Sequence, residues 1–154
     1  MPDLKEEVII SLNREAVFEF ASNLKNSTEV LANVVEVNKL SEGPVGAGTK
    51  FEEIRQFRNR RVGAVLEVVT YNPPHSYSVK SENKGLVVTY TYSFTEEKEN
   101  QTRVRFEGEV EAVSFPMKLM RPMMVKMLKK EDGDHLVSLK NTIEKQADSP
   151  HGES

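Results

Sequence analysis

The sequence predicts an α+β fold: a curved antiparallel sheet of about seven strands, two short helices after the first strand, and a long C-terminal helix. Three observations predict it. Periodicity is helical just after the first apolar run, then switches to strict alternation for most of the chain. Clusters of Gly, Pro and Asn cut the alternating region into short lengths. Helical periodicity then returns from about Pro116 to Glu144. At 154 residues the chain suffices for one domain with a real core. We place that domain at residues 1–146 and expect 147–154 to be a disordered polar tail.

"KEEVIISL" reads as the first strand, ending near Leu12. Asn13 follows as a helix N-cap, with Glu15 in the first turn. Val17, Phe20, Ala21 and Leu24 make one helical face. Asn26 and Ser27 interrupt it, and "STEVLAN" supplies a second short helix. "VVEVNKL" is a strand, "SEGPVGAG" a turn, and "TKFEEIRQF" a strand. Arg58, Asn59 and Arg60 form a polar hairpin tip. "VGAVLEVVTY" is a long strand, and the prolines of "NPPHS" end its ladder. In "LVVTYTYSF", Leu86, Val88, Tyr90, Tyr92 and Phe94 share one parity. In "TRVRFEGEVEA", Val104, Phe106, Val110 and Ala112 alternate with charged residues. Such alternation marks an antiparallel sheet with one wet face, and a sheet this wide twists and curls.

Composition narrows the function classes. Net charge is −3, from 21 basic and 24 acidic residues. That gives no strong polyanion signal, so nucleic acid is not an expected partner. Cysteine is absent, which removes disulfides and thiolate metal sites. The three histidines show no metal-ligand spacing; no metal and no cofactor are expected. No signal peptide and no spanning segment are legible, so a soluble cytoplasmic protein is the default, monomer or dimer.

Five of the six methionines, Met117, Met120, Met123, Met124 and Met127, lie within eleven residues. At about 100° per residue they fall on an arc of about 120°, with Lys118, Arg121, Lys126 and Lys129 mostly opposite. A helix face packed on the core is one reading. Methionine, however, is flexible and suits surfaces that repack around varied partners, whereas a fixed core favours Leu and Ile. A ligand-facing wall is the second reading, and a membrane- or protein-docking face the third. The stripe does not continue past Met127, since the positions that would extend it are Glu131, His135, Ser138 and Thr142. Pro122 and Gly133 leave the continuity of the helix open.

Other residues suggest chemistry. If Phe51 and Phe57 point inward, Glu53 and Arg55 do too, because side chains alternate. Charges on an inner face need partners. They either pair with each other or reach the sheet edge, or they bind a polar head group or act as acid and base. His135 stands four residues after Glu131, so it either pairs with it on the surface or titrates in a pocket. Tyr77, Tyr90 and Tyr92 have inward parity, as core or to orient a ligand. His75 reads as a solvated turn residue. "GPVGAG" precedes a strand rather than a helix, so it is a hairpin turn and not a phosphate loop. "RQFRNRR" reads as a solvated tip.

The phrases "NREAVFEFASN", "VVEVNKLSEGPVGAGTKFEE", "YNPPHSYSVKS" and "LVSLKNTIEK" extend this reading. Through them the chain resembles the polyketide cyclase/dehydrase and lipid-transport family of the START/Bet v 1-like (SRPBCC) superfamily. The resemblance covers roughly residues 5–146, and "GPVGAGTKF" and "LVSLKNTIE" are its most specific phrases. It implies a helix-grip fold, in which the curved sheet holds the long helix over an apolar cavity. It would set the Met stripe against that cavity. Many relatives carry a tryptophan after the first helices; "NSTEVLANVVEV" has none. The family includes carriers and enzymes, and no universal catalytic motif carries over.

The first functional expectation is therefore binding or transport of a small apolar or amphipathic molecule, lipid-like or polyketide-like, in an internal cavity. The expected wall is Phe51, Phe57, Tyr77, Val88, Tyr90, Tyr92, Phe106, Met120, Met123, Met124 and Met127. A cyclase or dehydratase is the enzyme alternative, with Glu53, Arg55 and His135 as its candidate catalytic residues. A module docking through the basic segment 118–130, in transient contact with a membrane or with a protein, is the third.

Overall fold

The computed structural model describes residues 2–132 and 134–148, with the side chains of Phe57, Glu131, Asp132, Ala147 and Asp148 outside the description. Seven strands form one antiparallel sheet: β1 Leu4–Ile10, β2 Val34–Lys39, β3 Lys50–Phe57, β4 Arg60–Asn72, β5 Ser76–Asn83, β6 Leu86–Lys98 and β7 Gln101–Ala112. Strands β2 to β7 run as a meander, and β1 joins the outer side of β7. The two edges are thus β1 and β2, which are consecutive in sequence. Helix α1 (Arg14–Ser22), a 3-10 turn (Leu24–Asn26) and helix α2 (Ser27–Val30) carry the chain between them. They cross the concave side of the sheet.

Local chemistry explains the elements. The Asn13 side chain accepts from the Ala16 N–H at 2.9 Å and starts α1. The β3–β4 hairpin turns on Arg58 and Asn59, with Phe57 opposite Arg60. Lys84 and Gly85, both at positive φ, close the β5–β6 hairpin. A Cβ on Gly85 would meet the Ser114 hydroxyl, so the turn admits only glycine there. Register shifts at Val34/Glu36 and Val68/Thr70 bend the sheet.

The C-terminal region is two helices, α3 (Phe115–Asp132) and α4 (His135–Asp148). Pro122 lies inside α3 without ending it. Helix α4 reaches Asp148, beyond the domain end expected at 146; the remainder of the expected tail, 149–154, lies outside the described residues. It is α4 that the sheet grips. Leu136, Leu139 and Ile143 are buried on one face, and Lys140 donates to the Ile9 carbonyl at 2.7 Å. The core gathers them with Ile10, Val17, Phe18, Phe94, Val104 and Phe106. Helix α3 lies along β7 instead. Its tie is Arg121, which donates to the Val110 carbonyl at 3.0 Å and to Asp3 at 2.6 Å.

Candidate functional site

A cavity of about 240 Å³ lies between the concave face of the sheet, the α1–α2 corner and the C-terminal helices. Cross-strand register builds its floor. Glu53 stands opposite Ala64 on β3 and β4. Tyr77, Val79 and Ser81 of β5 stand opposite Tyr92, Tyr90 and Val88 of β6. All of these except Glu53 and Ser81 are apolar or aromatic, and all line the cavity, with Arg55 and Leu66. Phe20, Ala21, Leu24 and Val30 close one side, and Leu128, His135 and Leu139 the roof.

The charged groups inside, and the Tyr92 and His135 side chains, are paired. Arg55 donates from Nε to Oε1 of Glu53 at 2.9 Å, two positions apart on the same face of β3. Glu53 is buried, and the pairing offsets part of what burying its charge costs. The Tyr92 hydroxyl and His135 Nε2 meet at 2.9 Å, joining β6 to α4. Either can donate, depending on the imidazole tautomer. The His135 ring stands edge-on to Phe106, with centroids 4.6 Å apart. Tyr77 stacks on Tyr92 at 4.7 Å and donates to the Ala21 carbonyl at 3.0 Å. Burial pushes the Tyr77 hydroxyl far above its usual range, so it stays a neutral donor. Among the described residues, no three acidic or histidine side chains gather closely enough to hold a metal ion.

The expected wall is only partly the observed one. Tyr77, Val88, Tyr90 and Tyr92 line the cavity. Phe51 and Phe106 have the inward parity but are packed wholly into the core and do not line it. The side chain of Phe57 lies outside the described residues, as does the Glu131 partner considered for His135. Glu53, Arg55 and His135 all line the cavity. The methionine wall is corrected. Met120, Met123 and Met127 are 42%, 60% and 43% exposed, and none of the expected methionines lines the cavity. Met117 and Met124 are partly buried against the core.

The physical reason is Arg121. Placing the basic residues in solvent put the methionine arc inside. Asp3 and the Val110 carbonyl instead turn Arg121 toward the sheet. The buried face of α3 therefore runs through Met117, Met124, Val125 and Leu128, about a quarter turn from the centre of the arc. Alternation could not assign Ala64 and Leu66, because "VGAVLEVV" is apolar on both parities. A hairpin register counted out from the two-residue turn at Arg58–Asn59 would have found them. The face Phe20, Ala21 and Leu24 was legible; that it lines the cavity was not.

Over residues 1–144 the chain matches the family model described as polyketide cyclase / dehydrase and lipid transport. No curated protein matches the sequence. Among solved structures, the fold is similar to the di-domain ARO/CYC BexL from the BE-7585A biosynthetic pathway (TM-score 0.77, 13% identity). That match covers 94% of this chain and 47% of BexL, so the chain spans about half of that protein. The Zhui aromatase/cyclase from Streptomyces sp. R1128 superposes with a TM-score of 0.75 at 10% identity, covering 97% of each chain. A START superfamily protein from Mycobacterium smegmatis gives 0.67 at 13% identity, over 93% of this chain and 94% of its own. At such identities the likeness speaks for the fold.

Proposed function

The chain belongs to the polyketide cyclase/dehydrase and lipid transport family, and from that premise we propose that it holds one small amphipathic molecule, lipid-like or polyketide-like, in the cavity. The observation that supports this most is the lining. Most of the side chains around the space are apolar or aromatic, and two polar pairs, Glu53–Arg55 and Tyr92–His135, stand within it. Small-molecule sites combine an apolar enclosure with a few placed polar groups that fix orientation. The volume of about 240 Å³ is just below the roughly 300–1,000 Å³ of such sites. It suits a ring system or a single short chain rather than a two-chained lipid.

Native mass spectrometry of the purified protein tests this. The expected result is a co-isolated small molecule that is released on denaturation, and that Tyr90→Trp, by filling the space, excludes. Absence of any adduct, together with no thermal shift from fatty acids, sterols or aromatic polyketides, would overturn it.

A second reading is supported by the placement of Glu53, Arg55 and His135 in the lining. They could provide acid–base turnover of a polyketide-like substrate by loss of water, with His135 or Glu53 moving the proton and Arg55 holding developing negative charge. Incubation with a poly-β-ketone mimic separates the two. Recovery of the mimic unchanged favours carriage. A product lighter by one water, lost in His135→Gln while the thermal shift remains, favours catalysis.

A further inference from the structure

Helix α3 carries a face that the cavity does not use. Phe115, Leu119, Met123 and Met127 recur at every fourth position, which makes one row along the helix. They are 73%, 72%, 60% and 43% exposed. An adjacent row holds Lys118, Lys126 and Lys130, all exposed. Residues 115–130 contain five basic side chains and no acidic one, although the whole chain carries −3. A contiguous apolar row rimmed by charge marks an interaction surface.

The charge decides what covers it. A second copy across a two-fold axis would set this basic row against itself. A lysine ammonium is a compact point charge on a flexible stem, suited to a field of phosphates more than to one forked carboxylate. Methionine adapts to a disordered apolar boundary. Among the described residues no helix is long and apolar enough to cross a membrane; an amphipathic helix lying in the interface plane has no such need. We propose that α3 docks the protein on the surface of an anionic lipid bilayer. The row Phe115–Leu119–Met123–Met127 enters the headgroup–acyl boundary, and Lys118, Lys126 and Lys130 meet lipid phosphates. This does not rest on the cavity reading, although Leu128 of the same helix lines the cavity.

Sedimentation with vesicles tests it, using phosphatidylcholine alone and phosphatidylcholine mixed with phosphatidylglycerol. The full chain should sediment with the mixed vesicles, and added salt should release it. Lys126→Gln and Lys130→Gln should each weaken that binding about fivefold. Leu119→Ser with Met123→Ser should abolish it at the wild-type melting temperature, because both side chains are exposed. Equal retention by both vesicle types, no sedimentation with either, or variants that bind like wild type would overturn the proposal. So would a wild-type dimer that Met123→Ser dissolves, which would assign the row to a second copy.

Discussion

Asp3 and Arg121 meet at 2.6 Å across 118 positions of sequence, and their contact sets the rotation of α3. The Asp3 carboxylate also accepts from the Val110 N–H at 2.8 Å. Burial works to raise this carboxyl, but the Val110 N–H and the Arg121 guanidinium together hold it below its usual range. A depressed folded-state pKa adds stability above the unfolded value of about 3.9. That stability is lost as pH falls through the folded value. Thermal melts of wild type and Asp3→Asn should therefore differ at neutral pH and converge in acid. Curves that stay parallel down to acid pH would remove the pair from any role in stability.

The two C-terminal helices should respond very differently to truncation. Leu136 of α4 is fully buried, so Leu136→Ala should cost about 2–5 kcal/mol in urea unfolding. Met123 of α3 is exposed, so Met123→Ala should change stability by less than about 0.5 kcal/mol. A large loss at Met123 would mean that its face is covered in solution.

Glu53 and Arg55 should be coupled. Glu53→Ala removes the carboxylate that accepts from Arg55 Nε in a largely buried place, at a cost of about 1–3 kcal/mol. The double variant Glu53→Ala/Arg55→Met removes both charges and should recover most of that loss. A double-mutant cycle measures the coupling. Strict additivity would contradict the pairing seen here.

Gly108 faces inward on β7 opposite Tyr90. A Cβ there would lie 3.0 Å from the Tyr90 ring and 3.2 Å from the Leu4 Cβ. Gly108→Ala should press Tyr90 toward the cavity that it lines. The expected signature is weaker binding of the largest ligands accepted by wild type, by about tenfold, with small ligands spared. Calorimetric titration of a size series checks it.

Much of the fold was legible because period and turn chemistry act locally. The alternation of Val88, Tyr90 and Tyr92 assigned a face, Asn13 assigned a helix start, and the prolines of "NPPHS" the end of a strand. The strand that leaves sequence order, β1 against β7, was not legible, since its pairing rests on contacts such as Leu4 opposite Gly108. The candidate site divided along the same line. Glu53 and Arg55 followed from parity on one strand. His135 could be placed on a helix but not against Tyr92, which is 43 positions away. The methionine stripe misled because two distant acceptors, the Asp3 carboxylate and the Val110 carbonyl, draw Arg121 toward the sheet.

The interruption between α3 and α4 separates two sets of demands on the sequence. After it, the face of Leu136, Leu139 and Ile143 answers to the interior and tolerates little change. The outward row before it answers only to whatever the molecule meets. That row is therefore free to drift between relatives, or to be rewritten by design, so that one unaltered scaffold could be re-addressed to a different surface.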